Sequence, residues 1–308
     1  MRYQRKQVAG VIHPNESLKS KGGSPYTRHP EWLKVKMPQG EEYHRLKLLA
    51  REHRLHTVCE SASCPNIGEC WNNGTLTIMI MGNTCTRACR FCDVPAGKPG
   101  PLDPREPEEV AGMLSKLGLR YAVITSVDRD DLPDEGASHW ATTIQKVREA
   151  CPVLKIEVLI PDFHARGDCL KTVCEAAPDL LAHNLETVRG LQGKIRPQSR
   201  YDWSLKTLRI ARQEFGMMTK SGLMLGLGES REQVIEAMED LQKVDCQILT
   251  LGQYLRPSRQ HHPVVDYISP EQFARYREIG EEIGFAHVES GPLVRSSYRA
   301  DRQAAGFV

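Results

Sequence analysis

The chain has 308 residues, 40% apolar and 26% charged, with a formal net charge of +2 and ten cysteines. A chain of that length buries a large core without disulfide staples, and the composition is that of an ordinary globular protein. So small a net charge argues against nucleic acid or a membrane surface as partner, and no apolar run approaches the roughly 20 residues of a membrane span.

The charge is nevertheless uneven. Residues 1–56 hold twelve Lys or Arg against five Glu, about +7, and the remainder is about −5. Residues 1–40 carry Pro14, Gly22, Gly23, Pro25, Pro30 and Pro38 with little periodicity, which predicts an arm extended against the body rather than a domain. Its apolar run Val8-Ala9-Gly10-Val11-Ile12 is too short for a secretory signal core. Helical patterning starts near Glu41 and runs towards His53, with Tyr43, Leu46, Leu48 and Leu49 available for one face.

After a loop with Pro65 and Gly68, short apolar segments alternate with helix-like stretches. Strands are predicted at Leu76–Met81, Tyr121–Ser126, Ile156–Ile160, Leu180–Asn184, Thr219–Leu225 and Gln247–Leu251. Helices are predicted at Glu106–Leu117, Ala137–Ala150, Arg166–Ala176, Tyr201–Glu214 and Arg231–Lys243. A last helix, Pro270–Ile283, opens with Ser269 as cap and Pro270 in its first turn. Six strand-then-helix units imply an α/β fold: a parallel sheet with crossover helices, closed or partly closed as a barrel.

Six of the ten cysteines form two triplets, Cys59, Cys64 and Cys70, then Cys85, Cys89 and Cys92. Thiolates so closely spaced hold soft metal where staples are not needed. Zinc loops generally supply four ligands, in two C-x2-C pairs or a pair with histidines. Here each triplet stops at three, and only Cys89 and Cys92 form a C-x2-C pair. Three thiolates on a four-iron cluster leave one iron open, so the pattern suggests two clusters. The second triplet directly follows the first long strand, where parallel barrels gather their chemistry. Cys151, Cys169, Cys174 and Cys246 lack such spacing and read as buried structural thiols, and His261-His262 as a solvated turn. A protein with reduced thiolate clusters belongs in a reducing compartment, so a cytoplasmic location is expected and the acceptor-like Asn73-Gly74-Thr75 reads as accidental.

Cys85-Thr86-Arg87-Ala88-Cys89-Arg90-Phe91-Cys92 resembles the C-x3-C-x-aromatic-C signature of the radical S-adenosylmethionine (SAM) superfamily. The triplet Cys59, Cys64 and Cys70 resembles the auxiliary-cluster motif of its lipoyl synthase family, and Arg295-Ser296-Ser297-Tyr298 resembles that family's C-terminal motif. The resemblance covers roughly residue 30 to the end. It implies a partial (β/α)6 TIM-type barrel, residues 76–284, with an N-terminal extension, 1–75, and a C-terminal one, 285–308, that hold an auxiliary iron–sulfur cluster.

The same resemblance implies two [4Fe-4S] clusters. Cys85, Cys89 and Cys92 would hold the one that binds SAM and cleaves it reductively to a 5′-deoxyadenosyl radical. Cys59, Cys64 and Cys70, with Ser297 as fourth ligand, would hold the one that donates sulfur, with Arg295 steadying it. Ser297 oxygen is a harder and weaker partner for iron than thiolate, which suits a ligand that leaves. Gly222-Leu223-Met224-Leu225-Gly226-Leu227-Gly228-Glu229 resembles the superfamily's G-x-I-x-G-x-x-E stretch, with Met224 for Ile, and brings Gly226 and Glu229 forward as adenosine contacts. Phe91, Glu157 and Asn184 are further candidates for SAM.

The implied activity is insertion of two sulfur atoms at C6 and C8 of a protein-bound octanoyl chain. The implied partners are octanoylated lipoyl-carrier domains (2-oxoacid dehydrogenase E2 subunits, glycine cleavage H protein), a ferredoxin or flavodoxin as electron donor, and iron–sulfur assembly proteins. The basic excess of residues 1–56 would steer such acidic carriers, through Lys19, Lys21, Lys34 and Lys36 among others. The alternatives are a radical SAM enzyme whose second cluster transfers electrons or ligates substrate, and a zinc-stabilised binding module.

Overall fold

The computed structural model describes residues 29–306 except 36–37, 54–55, 62–63 and 73–75. The arm 1–28 with Lys19 and Lys21, as well as Lys36 and Asn73-Gly74-Thr75, therefore lies outside the described residues. The chain divides into two units, Met1–Lys34 and Val35–Val308. The described part of the first holds a short 3-10 turn, Glu31–Leu33, with Lys34 Nζ 3.1 Å from Glu31.

The second unit opens with α1 (Glu41–Glu52), β1 (His56–Thr57), α2 (Val58–Ser61) and α3 (Ile67–Asn72). Its alternating body runs β2 (Thr77–Ile80), α4 (Glu106–Leu117), β3 (Tyr121–Ser126), α5 (Ala137–Ala150), β4 (Lys155–Leu159), α6 (Gly167–Glu175) and β5 (Leu180–Ala182). It continues through α7 (Gln192–Ile195), α8 (Tyr201–Gln213), β6 (Thr219–Leu225), α9 (Arg231–Lys243), β7 (Ile248–Gln253), α10 (Pro270–Ile283), β8 (His287–Gly291) and α11 (Ala300–Gln303). The strands form one sheet in chain order, β1 antiparallel to β2 and every later pair parallel. Among the described residues no ladder joins β8 to β1, so the barrel stays open on one side.

β2 and β7 are buried along their whole length, which is why they read as continuous apolar runs. β8 gave no such run. It ends the sheet with β7 as its one neighbour, buries alternate residues, and interleaves His287 and Glu289 with Val288. The Ser269 cap expected for α10 accepts the Gln272 N–H at 3.2 Å, and Gly284 at φ 113° ends the helix. In α1 the buried stripe is Leu46 and Ala50, whereas Leu48 is 60% exposed and not part of the inner face. No helix among the described residues is long and apolar enough to cross a membrane.

One ion pair crosses the concave side of the sheet. Lys220 on β6 reaches Glu157 on β4 at 2.8 Å, past the intervening β5, and Tyr121 on β3 donates its hydroxyl to the same carboxylate at 2.6 Å. Lys220 and Glu157 are 0% and 1% exposed. Such a pair persists in a dry interior because each charge has a matched partner.

Candidate functional site

β2 ends at Ile80, and Met81 and Gly82, at φ 67° and 89°, turn the chain out of the sheet into the second cysteine triplet. The loop closes on itself through Cys85 N–H to Pro95 O at 2.9 Å and Gly97 N–H to Cys85 O at 2.8 Å. Backbone N–H groups of Arg87 and Asp128 already point at Cys85 Sγ, at 3.4 and 3.3 Å. The loops after β5 and β7 hold the far side. Arg90 N–H bonds Ile195 O at 2.9 Å, Ala88 N–H bonds Gln198 Oε1 at 2.8 Å, and His262 N–H bonds Arg90 O at 2.8 Å. Burial pushes the Cys85 and Cys89 thiols up to about 12 and Cys92 to about 11. Binding a soft metal here must therefore displace protons from all three.

Arg87, in the middle of the triplet, anchors the loop from below. Its side chain is 1% exposed. One edge of the guanidinium meets both oxygens of Asp130 at 2.8 Å, and the other meets Asp162 at 2.9 and 2.8 Å, with Asp128 at 3.4 Å. Bidentate pairs of this kind fix orientation as well as charge. Burial pushes the Asp162 carboxyl up, but Arg87 outweighs it and holds Asp162 well below the usual range. Asp128 is pushed up by burial, with Arg87 opposing. Sequence reasoning missed this network because Arg87 stands at a position the motif leaves open and its partners come from the ends of β3 and β4.

Beside the triplet, Asn184 and Glu186 follow β5. Asn184 Oδ1 is buried without a partner, next to Gly222, where any Cβ would press on it at 3.0 Å. Arg196 is buried, its Nη1 shared among Asn184 O, Leu185 O and Ser204 Oγ at 3.3–3.4 Å, and its Nε has no partner. Burial raises the Glu186 carboxyl against the pull of Arg196. Two buried polar atoms on side chains joined through the Asn184 carbonyl thus remain for a ligand or water to pair. Arg196 escaped the sequence reading, since it lies in the irregular stretch before α8.

The remaining candidates divide. Phe91 is half-buried and packs with Ile195, Leu227 and Tyr254. Gly226, at φ 94°, and Leu227 donate their N–H groups to Glu229 at 2.6 and 2.9 Å, so the Glu229 carboxylate caps its own turn. Glu157 is not at the barrel mouth. Each of its oxygens accepts one hydrogen bond, from Lys220 and from Tyr121, in a side chain 1% exposed. His262 is not a solvated turn but buried, with Nε2 on Leu227 O at 2.9 Å, while His261 Nε2 donates to Cys92 O at 2.9 Å. Cys169, Cys174 and Cys246 are buried as expected, and Cys151 is half-buried.

The first triplet sits between β1 and β2, on α2, α3 and their link. Cys59, Cys64 and Cys70 line one cavity with Ser297, Arg295, Tyr298, Asn66 and Thr77. The C-terminal segment is drawn there by Asn66 Nδ2 donating to Leu293 O at 2.6 Å. Glu69 binds the Tyr298 hydroxyl at 3.0 Å and Arg299 at 2.6 Å. Gly252 on β7 lets the segment pass, because a Cβ there would strike Val294 O. Burial raises Cys59 to about 11 and Cys70 to about 12, and it lowers the Arg295 guanidinium, against which the Cys64 sulfur pulls. Three thiols, a hydroxyl and a cation thus share one space, a donor set for soft metal with one hard ligand.

Comparisons with known proteins follow the same division. The radical SAM superfamily profile matches residues 79–241, and that of the N-terminal domain of lipoyl synthase of the radical SAM family matches residues 5–64. The chain is 54% identical over 275 residues to the lipoyl synthase of Rubrobacter xylanophilus, covering 89% of this chain and 86% of that one. It is 51% identical over 276 residues to that of Treponema denticola, covering 89% and 94%, and 54% identical over 276 residues to that of Thermus thermophilus, covering 89% and 85%. Among solved structures, methylornithine synthase aligns with a TM-score of 0.51 at 17% identity, covering 80% of this chain and 77% of that one. The [FeFe]-hydrogenase maturase HydG aligns at 0.51 and 15% identity, covering 81% and 62%, which shows a shared fold.

Proposed function

Because the chain belongs to the lipoyl synthase family of radical SAM sulfurtransferases, we propose that its two cysteine triplets divide the labour of sulfur insertion. Cys85, Cys89 and Cys92 hold one [4Fe-4S] cluster and SAM. Cys59, Cys64, Cys70 and Ser297 hold a second. The substrate is an octanoyl group on a lysine of a lipoyl-carrier domain, such as a 2-oxoacid dehydrogenase E2 subunit or the glycine cleavage H protein. It receives sulfur at C6 and C8. A ferredoxin or flavodoxin supplies electrons, and iron–sulfur assembly proteins rebuild the second cluster. When bound, these groups supply one-electron cleavage of SAM, hydrogen abstraction and the sulfur itself.

The chain's own residues supply position. Arg87 holds the Cys85 loop through Asp130 and Asp162, so the three thiols keep their places as a ligand arrives. The unpaired Asn184 Oδ1 and Arg196 Nε are suited to the polar groups of SAM, with Gly226 and Phe91 beside the adenosine. Glu229 shapes that turn and Glu157 braces the barrel floor. The chain is organised as residues 1–75, an N-terminal arm, helix and auxiliary-cluster loop, residues 76–284, the barrel, and residues 285–308, the C-terminal extension.

The observation that carries this reading is the cavity that brings Ser297 to the three thiols Cys59, Cys64 and Cys70 across more than two hundred residues of chain. Iron and acid-labile sulfide analysis of anaerobically reconstituted protein tests it. About eight irons per chain, falling to about four in Cys59→Ala/Cys64→Ala/Cys70→Ala, is the expected result. Zinc without labile sulfide would refute it.

A further inference from the structure

The stretch of the Cys85 loop between its second and third cysteines presents a cation to solvent. Arg90, between Cys89 and Cys92, is exposed. Its backbone is stitched on one side to Ile195, next to exposed Lys194, and on the other to His262, in the loop of exposed Arg256. Arg256 spends its donors on the backbone oxygens of His261 and Arg259. Among the described residues no ion pair reaches Arg90, Lys194 or Arg256. The acid closest in sequence, Asp93, lies 3.9 Å from His261 Nε2. Three exposed cations, none in an ion pair among the described residues, thus stand on the Cys89–Cys92 stretch and on the two segments whose backbone is bonded to it.

We propose that this face is the docking surface for an acidic one-electron carrier protein, a proposal that rests on the radical SAM reading above. A carrier seated on Arg90 stands one residue from Cys89 and two from Cys92 along the chain. Arg90 N–H donates to Ile195 O and the Arg90 carbonyl accepts from His262 N–H, which ties the stretch to its neighbours on both sides. A partner that delivers only an electron needs no opening between them. The carrier is oxidised by one electron. That electron, with SAM, breaks the sulfonium C5′–S bond to give methionine and a 5′-deoxyadenosyl radical. Opposite charge speeds such encounters and orients small, transient interfaces.

The test is titration of the protein with flavodoxin, followed by flavin fluorescence, at about 50 and about 300 mM salt. In Lys194→Glu/Arg256→Glu the flavodoxin Kd should rise about tenfold or more at low salt, with the difference shrinking at high salt. Arg90→Glu should weaken binding in the same direction, and Lys194→Glu alone, outside the cluster loop, keeps the result readable if Arg90→Glu loads iron poorly. SAM cleavage driven by dithionite should be unchanged in Lys194→Glu/Arg256→Glu, while cleavage driven by reduced flavodoxin falls. An unchanged flavodoxin Kd overturns the proposal. So does a loss of affinity for octanoylated H protein instead of flavodoxin, which would make the face a substrate dock. No 5′-deoxyadenosine from the unsubstituted protein with dithionite would sink the radical reading beneath it.

Discussion

Around Cys85, Cys89 and Cys92 the bracing is buried and charged, with Arg87 clasped by Asp130 and Asp162 under a side chain 1% exposed. Around Cys59, Cys64 and Cys70 it comes from a segment 227 residues away in sequence and from a surface ion pair, Glu69–Arg299, whose side chains are 44% and 45% exposed. The first arrangement is held by buried charge-assisted bonds, the second by fewer and more exposed contacts, a contrast that fits the proposal of a second cluster emptied and rebuilt in each cycle.

The largest test of that contrast is Arg87→Met. It strands Asp130 and Asp162 without their cation and should cost about 3–5 kcal/mol in urea denaturation. Iron should fall to about half, with the loss confined to the Cys85 site. Equal loss from both sites would break the comparison.

Acid sharpens it next. Burial, then the Arg196 charge, lowers His183 to about 4 from the ordinary histidine value of 6.5. A depressed histidine favours the fold above its unfolded pKa, and that contribution is lost as pH falls from about 6.5 towards about 4, on the order of 3 kcal/mol. Asp162 is depressed too, so its share is lost only below the ordinary carboxylate range. Denaturation at pH 7.5 and 4.5 should show the drop, and His183→Gln should flatten it.

Ser297→Cys gives the second site a ligand that does not let go. Lipoyl formation should fall about tenfold, roughly 1.4 kcal/mol, with SAM cleavage retained. Undiminished product would favour a cluster that is not consumed. The smallest effect belongs to Glu69→Gln, which should change stability by no more than about 1 kcal/mol. Proteolysis should nonetheless cut more readily after β8. A destabilisation matching Arg87→Met would show that the second site is as firmly built as the first.

The sequence revealed what is local. Cysteine spacing, apolar runs such as β2 and β7, and the Ser269 cap each declare themselves within a few residues. Contacts made across the sheet stayed hidden. Glu157 reads as a polar residue near a strand end, and only Lys220, 63 residues on, shows that it points into the dry interior. Arg87 and Arg196 were missed because both stand in irregular stretches, with partners in the connections that follow β3, β4 and β5 and on α8. Ser297 was found through the motif and not through any physical signal, because a serine pair in a C-terminal turn is otherwise unremarked. β8 lacks an apolar run because half of it faces away from the core.

The two-residue strand β1 carries a consequence for solubility. β2, whose four residues are all buried and which reads Thr-Ile-Met-Ile, has β1 as its partner on the side away from β3. β1 runs straight into the Cys59 helix. Should that loop unravel, β2 becomes an unguarded apolar edge, the kind of template on which chains add to one another. Whatever holds the Cys59 segment folded then also keeps β2 from pairing with another chain.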